Sequence, residues 1–321
     1  SEKVGQHLVI HQKEMAIMGF AEVLRNLRKI TKNLKRIKRD IARWTPDVIL
    51  LVDYPGFNFK IAKYAHSLSI PVHYYISPKV WAWKEGRVKL IKKYVTKLYS
   101  ILPFEQEYFA KRGVASIYVG NPSKETVDQF LANSKIQKKQ KNIALLPGSR
   151  TQEIKSSLPI MLEAMKNFED YELLVAQAPG FDDEFYYDFD SNLKLVKNDM
   201  YTLLAQSEAA LVTSGTATLE TALMNVPQIV CYKANAVTFV IAKWVIKLRY
   251  ISLVNLILDR DCVTELIQGD FNPTKISSEL NSIFNSAEKK QQIAYDYKEL
   301  HRLIGKSHPS QRVAKLVHNS L

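Results

Sequence analysis

The segment that most constrains this chain is Asn142-Ile-Ala-Leu-Leu-Pro-Gly-Ser-Arg150, followed by Thr151-Gln-Glu-Ile154. The apolar run Ile143 to Leu146 is too short for a helix and stops at Pro147-Gly148, which reads as a buried strand ending in a tight turn. Apolar residues then recur at helical spacing (Ile154, Leu158, Met161, Met165), so a helix starts near Thr151. Ser149 and Gln152 fit a capping box at that start. Free N–H groups and the helix dipole favour an anion at such a turn, and Arg150 adds a forked donor suited to phosphate. The spacing alone fits an ordinary strand–helix turn with a surface arginine equally well.

The chain has 321 residues, enough for two domains, and a net charge of +13. That charge calls for a polyanionic partner: nucleic acid, an anionic membrane surface or phosphorylated substrates. Two cysteines, Cys231 and Cys262, suggest a reducing compartment, and no Cys/His spacing resembles a metal site. The most apolar stretch, Phe239 to Leu258, is interrupted by Lys243, Lys247 and Arg249, so nothing in it should span a bilayer. Without a signal-peptide pattern at the start, a cytoplasmic location is expected.

Early in the chain Leu27, Ile30, Leu34, Ile37, Ile41 and Trp44 form one helical stripe among nine cations between Arg25 and Arg43. This reads as a helix packed on a sheet with a solvated basic face, ahead of a helix lying on a membrane. Met15, Ile17, Met18 and Phe20 crowd around Gly19 and form the better candidate for an exposed apolar patch. Val48 to Val52 reads as a parallel strand buried on both faces, ending in Asp53-Tyr-Pro-Gly-Phe-Asn58. A helix from about Asn58 and a strand at Pro71 to Ile76 complete a βαβ unit, whose ligands collect at the carboxyl edge. Asp53 sits at that edge, where a turn or capping role is also open to it. Ser77 to Arg87 then brings Trp81 and Trp83 together with Lys79, Lys84 and Arg87, suited to stacking on a sugar or base, or to packing between domains. A lysine-rich polar stretch, 135–141, reads as a linker between domains at 1–134 and 142–304, with 305–321 as a C-terminal helix that crosses back. In the second half Ala209 to Thr213 runs into Ser214-Gly-Thr216, a further strand, small-residue turn and helix start able to hold phosphate.

Several motifs occur in one order: Met18-Gly19, Pro46-Asp47-Val48, Asp53-x-Pro55-x-Phe57-Asn58, His73-Tyr74-x-x-Ser77-Pro78-x-Val80-Trp81-Ala82-Trp83, Leu102-Pro103-Phe104-Glu105, Leu145-Leu146-Pro147-Gly148-Ser149-Arg150, Ser214-Gly215-Thr216-Ala217-x-Leu219-Glu220 and Glu265-Leu266-x-Gln268. In this the chain resembles the lipid-A-disaccharide synthase family, from about residue 8 to the C-terminus. Two departures stand out. The family's opening strand and Gly-Glu-x-Ser-Gly-Asp loop have no counterpart here, so the first sheet is expected to lack a strand. Gly120-Asn121-Pro122 replaces a common Gly-His, which leaves Asn121 unassigned.

The resemblance implies an α/β fold of GT-B architecture, two Rossmann-like domains with a cleft between them. It implies an inverting transfer of 2,3-diacylglucosamine from UDP to the 6-hydroxyl of 2,3-diacylglucosamine 1-phosphate, part of lipid A biosynthesis in Gram-negative bacteria. Arg150, Ser149 and the Ser214-Gly215-Thr216 turn would hold the UDP phosphates with no metal and no cofactor. Glu220, Asn255, Glu265 and Gln268 would lie near the nucleotide, with ribose or base contacts for the carboxylates. Asp53 would be the base, Asn58 would orient the acceptor, and Ser77, Trp81 and Trp83 would contact substrate. Attachment to the anionic inner-membrane surface through Met15 to Phe20, and a homodimer, are further expectations. The competing readings are another UDP-sugar GT-B enzyme (a peptidoglycan-precursor transferase or an epimerase) and, from another class, a basic nucleic-acid-binding module, for which no binding motif is visible.

Overall fold

The computed structural model describes residues 10, 27–134, 140–234, 248–305 and 308–321. The Met15–Phe20 patch and most of the 135–141 stretch lie outside them. Contacts divide the chain into two compact units, one of residues 1–101, 105–119 and 310–321, the other of 102–104 and 120–309.

The first unit opens with α1 (Leu27–Trp44). Its stripe does what the periodicity predicts: Ile41 is buried, and Ile30, Leu34 and Ile37 pack on a core of Leu51, Phe57, Ile61, Val72 and Tyr74. Leu27 and Trp44, at the ends of the stripe, stay exposed, as do Arg28, Lys29, Lys32, Lys35, Arg36 and Arg39 on the far side. Four parallel strands follow in the order β1 (Ile49–Val52), β2 (Val72–Tyr75), β3 (Lys97–Ser100), β4 (Ser116–Tyr118). Between them run α2 (Pro55–Ser67), α3 (Val88–Tyr94) and α4 (Glu105–Ala110). Helix α2 starts earlier than the sequence suggests because Pro55, with its fixed φ and no N–H to lose, takes the first turn. The expectation that β1 is buried on both faces fails. Only Leu51 is buried, while Leu50 and Val52 are 40% and 47% exposed. Among the described residues β1 pairs with β2 alone and forms the sheet edge, with Leu51 on its buried side and Leu50 and Val52 on the side left exposed.

The second unit runs α5 (Pro122–Asn133), β5 (Asn142–Leu146), α6 (Thr151–Met165), β6 (Glu172–Gln177), α7 (Asp183–Tyr187), β7 (Lys194–Lys197), α8 (Met200–Gln206), β8 (Ala209–Thr213), α9 (Thr216–Leu223), β9 (Gln228–Tyr232), α10 (Leu253–Leu258), β10 (Thr264–Ile267), α11 (Pro273–Asn285) and α12 (Ala287–Ile304). Helix α5, grouped by sequence with the first domain, has its place in this unit. Asn121 caps it, the side-chain oxygen accepting from the Ser123 N–H at 2.9 Å. The acidic-aromatic segment after β6 contains α7, capped by Asp182. The sheet is parallel throughout, in the order β10-β9-β8-β5-β6-β7. Its central strands β5 and β8 are buried at every position, the pattern of strands covered by helices on both faces. β5 lies between β6 and β8, so the winding reverses between β5 and β8, where ligands of such sheets bind.

The last helix, α13 (Pro309–His318), brings Val313, Leu316 and Val317 against Tyr99 and Val119 in the first unit's own core.

Candidate active site

Both phosphate-type turns of the sequence emerge at that reversal. After β5, Gly148 takes φ +117°, and a Cβ there would stand 2.6 Å from Cβ of Glu153, so only glycine fits. The capping box expected from Ser149 and Gln152 is absent. Arg150 is the cap residue and makes no side-chain cap bond. Glu153 does the work instead: its carboxylate accepts from the Ser149 N–H at 3.0 Å and from Nη1 of Arg150 at 2.5 Å. The turn's donors therefore already face an anion, one supplied by the chain itself.

A cavity of about 540 Å3 opens beside this turn. Of the residues singled out from sequence it collects Ser149, Ser214, Gly215, Thr216 and Glu220. Glu153, Gln177, Asn198, Met200 and Tyr201 line it too. Sequence reasoning passed over these, although Asn198-Asp199 follows a strand and precedes a helix just as the two recognised turns do. Ser214 Oγ donates to the Ile251 carbonyl at 3.0 Å, which fixes the turn after β8. Glu220 accepts from Ser123 Oγ at 3.0 Å and from the Tyr201 hydroxyl at 3.2 Å. Burial pushes its carboxyl above the usual range, and those two bonds only partly offset that.

Asn255, Glu265 and Gln268 do not line this cavity. Asn255 is fully buried, its oxygen accepting from the Cys262 and Val263 N–H groups and its amide donating to the Val263 carbonyl and Glu265. Glu265 also accepts from the Ile251 and Ser252 N–H groups, at 2.9 Å each. Gln268 brackets Ala234, accepting from its N–H at 2.9 Å and donating to its carbonyl at 3.2 Å. These three side chains thus hold backbone, and Glu265, itself held by Asn255, fixes through Ile251 the carbonyl on which Ser214 rests. Asn255→Ala would leave several buried groups unpaired and should cost about 2–5 kcal/mol of stability in a urea titration. An unchanged midpoint together with lost UDP binding would restore a ligand-contacting role.

In the first unit Asp53 and Tyr54 both adopt left-handed backbone, φ 47° and 46°, an unfavourable pair outside glycine. The turn is held by Tyr74, whose hydroxyl donates to the Asp53 carbonyl at 2.6 Å, and by Asn58. Asn58, expected to orient the acceptor, donates its amide to the Val52 and Asp53 carbonyls at 3.1 and 2.7 Å and so acts on the turn. The Asp53 side chain itself is exposed. Ser77 is buried, where a substrate would not reach it in this state. Trp81 donates its indole N–H to Glu105 at 2.9 Å, and Glu105 also accepts from the Ile101 N–H at 3.1 Å. That leaves Trp83 as the one of the two tryptophans open to solvent, 45% exposed.

Comparison with known proteins resolves which of the expected readings holds. The profile of the family described as lipid-A-disaccharide synthetase matches residues 1–317. The lipid-A-disaccharide synthase of Myxococcus xanthus is 34% identical over 98% of this chain and 85% of that protein. The chain belongs to the lipid-A-disaccharide synthase family. The Syntrophus aciditrophicus synthase is 35% identical over 94% of this chain and 82% of its own length. Among solved structures, UDP-GlcNAc 2-epimerase from Neisseria meningitidis bound to UDP-GlcNAc aligns with a TM-score of 0.62 at 15% identity, covering 91% of this chain and 82% of that one. The S. aureus MnaA–UDP co-structure aligns at 0.63 with 13% identity, covering 89% and 79%. These likenesses share the fold, which is GT-B. A member of the synthase family is a glycosyltransferase, and its substrates are a nucleotide-sugar donor and a lipid acceptor. The epimerase reading rests on fold alone and yields to the sequence relatives. Among the described residues no helix is long and apolar enough to cross a membrane.

Proposed function

We propose that this enzyme transfers 2,3-diacylglucosamine from its UDP donor to the 6-hydroxyl of 2,3-diacylglucosamine 1-phosphate, giving the β-1,6 disaccharide 1-phosphate and UDP. The observation that carries the reading is the convergence of two phosphate-type turns, after β5 and after β8, on one cavity at the winding reversal. UDP would lie there, its diphosphate on the Ser149–Arg150 and Ser214–Thr216 turns and its ribose within reach of Glu220. As the glycosidic bond breaks, negative charge builds on the leaving diphosphate. The N–H groups of the two turns would stabilise that charge, and the Arg150 guanidinium, which pairs with Glu153 and does not itself line the cavity, would add to them once turned toward it. To accept the phosphates, Glu153 must give up Arg150 or share it. Asp53 is assigned the role of base, taking the proton of the acceptor hydroxyl as it attacks the anomeric carbon.

Thermal unfolding with UDP, UMP and ADP tests the nucleotide assignment. A ligand bound only to the folded state at a hundredfold excess over its Kd adds about 2.7 kcal/mol, so UDP should raise the midpoint well above UMP or ADP. Equal shifts for all three, or none, would remove UDP from this cavity.

We also propose that the exposed cations of α1 hold the enzyme on an anionic membrane, with Met15, Ile17, Met18 and Phe20 as apolar contacts. A Met18/Phe20 double-serine variant should partition less into anionic vesicles; equal partition would reject the patch. The homodimer expected from the resemblance is decided by the solution mass from light scattering.

A further inference from the structure

Arg87, so far named only as one cation of the tryptophan cluster after β2, has unusual surroundings. It ends the short 3-10 turn Glu85–Arg87 after β2. Its guanidinium carbon stands 5.5 Å from the ring centre of Trp83 and 6.0 Å from that of Phe59, so the group rests on two aromatic faces. The nearest acid in sequence, Glu85, is committed elsewhere, accepting from Nε of Arg112 at 2.6 Å. Among the described residues no carboxylate pairs with Arg87 and its guanidinium donates no hydrogen bond. A planar fork of five donors is therefore half-buried, pre-oriented and unspent. Lys84 adds a second cation, its Nζ 4.3 Å from the Trp83 ring centre, and Trp83 leaves apolar ring surface exposed for a sugar to cover.

The site is tied to the Asp53 turn. Phe59, under Arg87, packs on Tyr74 with ring centres 5.8 Å apart, and Tyr74 donates to the Asp53 carbonyl. The charges of Asp53 and Arg87 are both felt at the Tyr74 hydroxyl, with opposite sign. Through the buried Phe59–Tyr74 pair a turn bearing a carboxylate suited to a hydroxyl is thus joined to a guanidinium suited to a phosphomonoester, with an exposed indole beside that guanidinium. We propose that Arg87, supported by Lys84 and Trp83, binds the phosphate of the acceptor sugar and thereby selects phosphorylated acceptors. This rests on the reaction proposed above and adds to it the group that reads the acceptor. A phospholipid headgroup offers the same chemistry, and the test separates the two sources.

Arg87→Met keeps an apolar stem on the two rings and removes the charge; Arg87→Lys keeps the charge and loses the fork. Initial rates are measured with diacylglucosamine 1-phosphate and with unphosphorylated diacylglucosamine, beside UDP affinity and partition into anionic vesicles. The wild type should favour the phosphorylated acceptor. Arg87→Met should raise KM for that acceptor roughly tenfold to a hundredfold, the range of a charge-assisted hydrogen-bond pair, and leave the unphosphorylated acceptor and UDP affinity unchanged. Arg87→Lys should recover part of the loss. An equal loss on both acceptors would make Arg87 structural and overturn the proposal. Reduced vesicle partition with the acceptor preference intact would assign the phosphate to lipid and overturn it as well. A wild type that transfers to neither acceptor would fail the reaction itself, and a wild type that transfers equally to both would fail only this subsite.

Discussion

Asp53→Asn should lower turnover by about two to four orders of magnitude while UDP affinity stays unchanged. The substitution is nearly isosteric and removes only the capacity to take a proton. It should not disturb the turn, because what Tyr74 and Asn58 hold is the Asp53 backbone carbonyl, and the exposed side chain carries none of that load. Asparagine also tolerates the left-handed backbone at this position, φ 47°, as well as aspartate does. A fall in kcat is therefore readable as chemistry once the melting temperature is shown to be unaltered. Near-normal turnover would end the assignment of Asp53 as base.

Arg150→Ala should weaken UDP binding by roughly tenfold to a hundredfold by calorimetry, the worth of about 1.5–3 kcal/mol of charge-assisted bonding. Its partner in the free enzyme, Glu153, makes the expectation sharper. With Arg150 gone, a carboxylate remains beside the Ser149 N–H, where the diphosphate is proposed to sit, and its repulsion is no longer offset. Stability should change little, since the Arg150–Glu153 pair is mostly exposed on the arginine side and such pairs contribute about 0–1 kcal/mol. Unchanged UDP affinity would take Arg150 out of the phosphate site.

How much of this was legible beforehand depends on what a residue pattern encodes. Continuous apolar runs located β5 and β8 as buried strands because helices cover both their faces, and Pro147-Gly148 and Ser214-Gly215 marked the turns because backbone geometry there needs small residues. The same kind of run misread β1: sequence records that Leu50 and Val52 are apolar, and what packs on that face of the sheet decides whether they are covered. Motifs gave positions but not the direction of side chains. Glu220 and Glu265 belong to equally clear motifs, yet one faces the cavity and the other clamps Ile251 and Ser252. Ser149 and Gln152 satisfied a capping pattern, but Glu153, one residue further on, reached the free N–H first. Asn198, Met200 and Tyr201 follow a strand and open a helix as the two recognised turns do, but their residue types carry no phosphate signal, and the juxtaposition of the strand ends at β6, β7 and β8 is what brings them to the site.

The central claim is the transfer itself, and one reaction tests it most directly. The protein is incubated with UDP-2,3-diacylglucosamine and 2,3-diacylglucosamine 1-phosphate, and the products are read by mass spectrometry with UDP quantified in parallel. The account predicts a disaccharide 1-phosphate formed mole for mole with UDP and carrying a β-1,6 linkage. UDP released without disaccharide, an epimerised UDP-sugar, or no consumption of either substrate would contradict it.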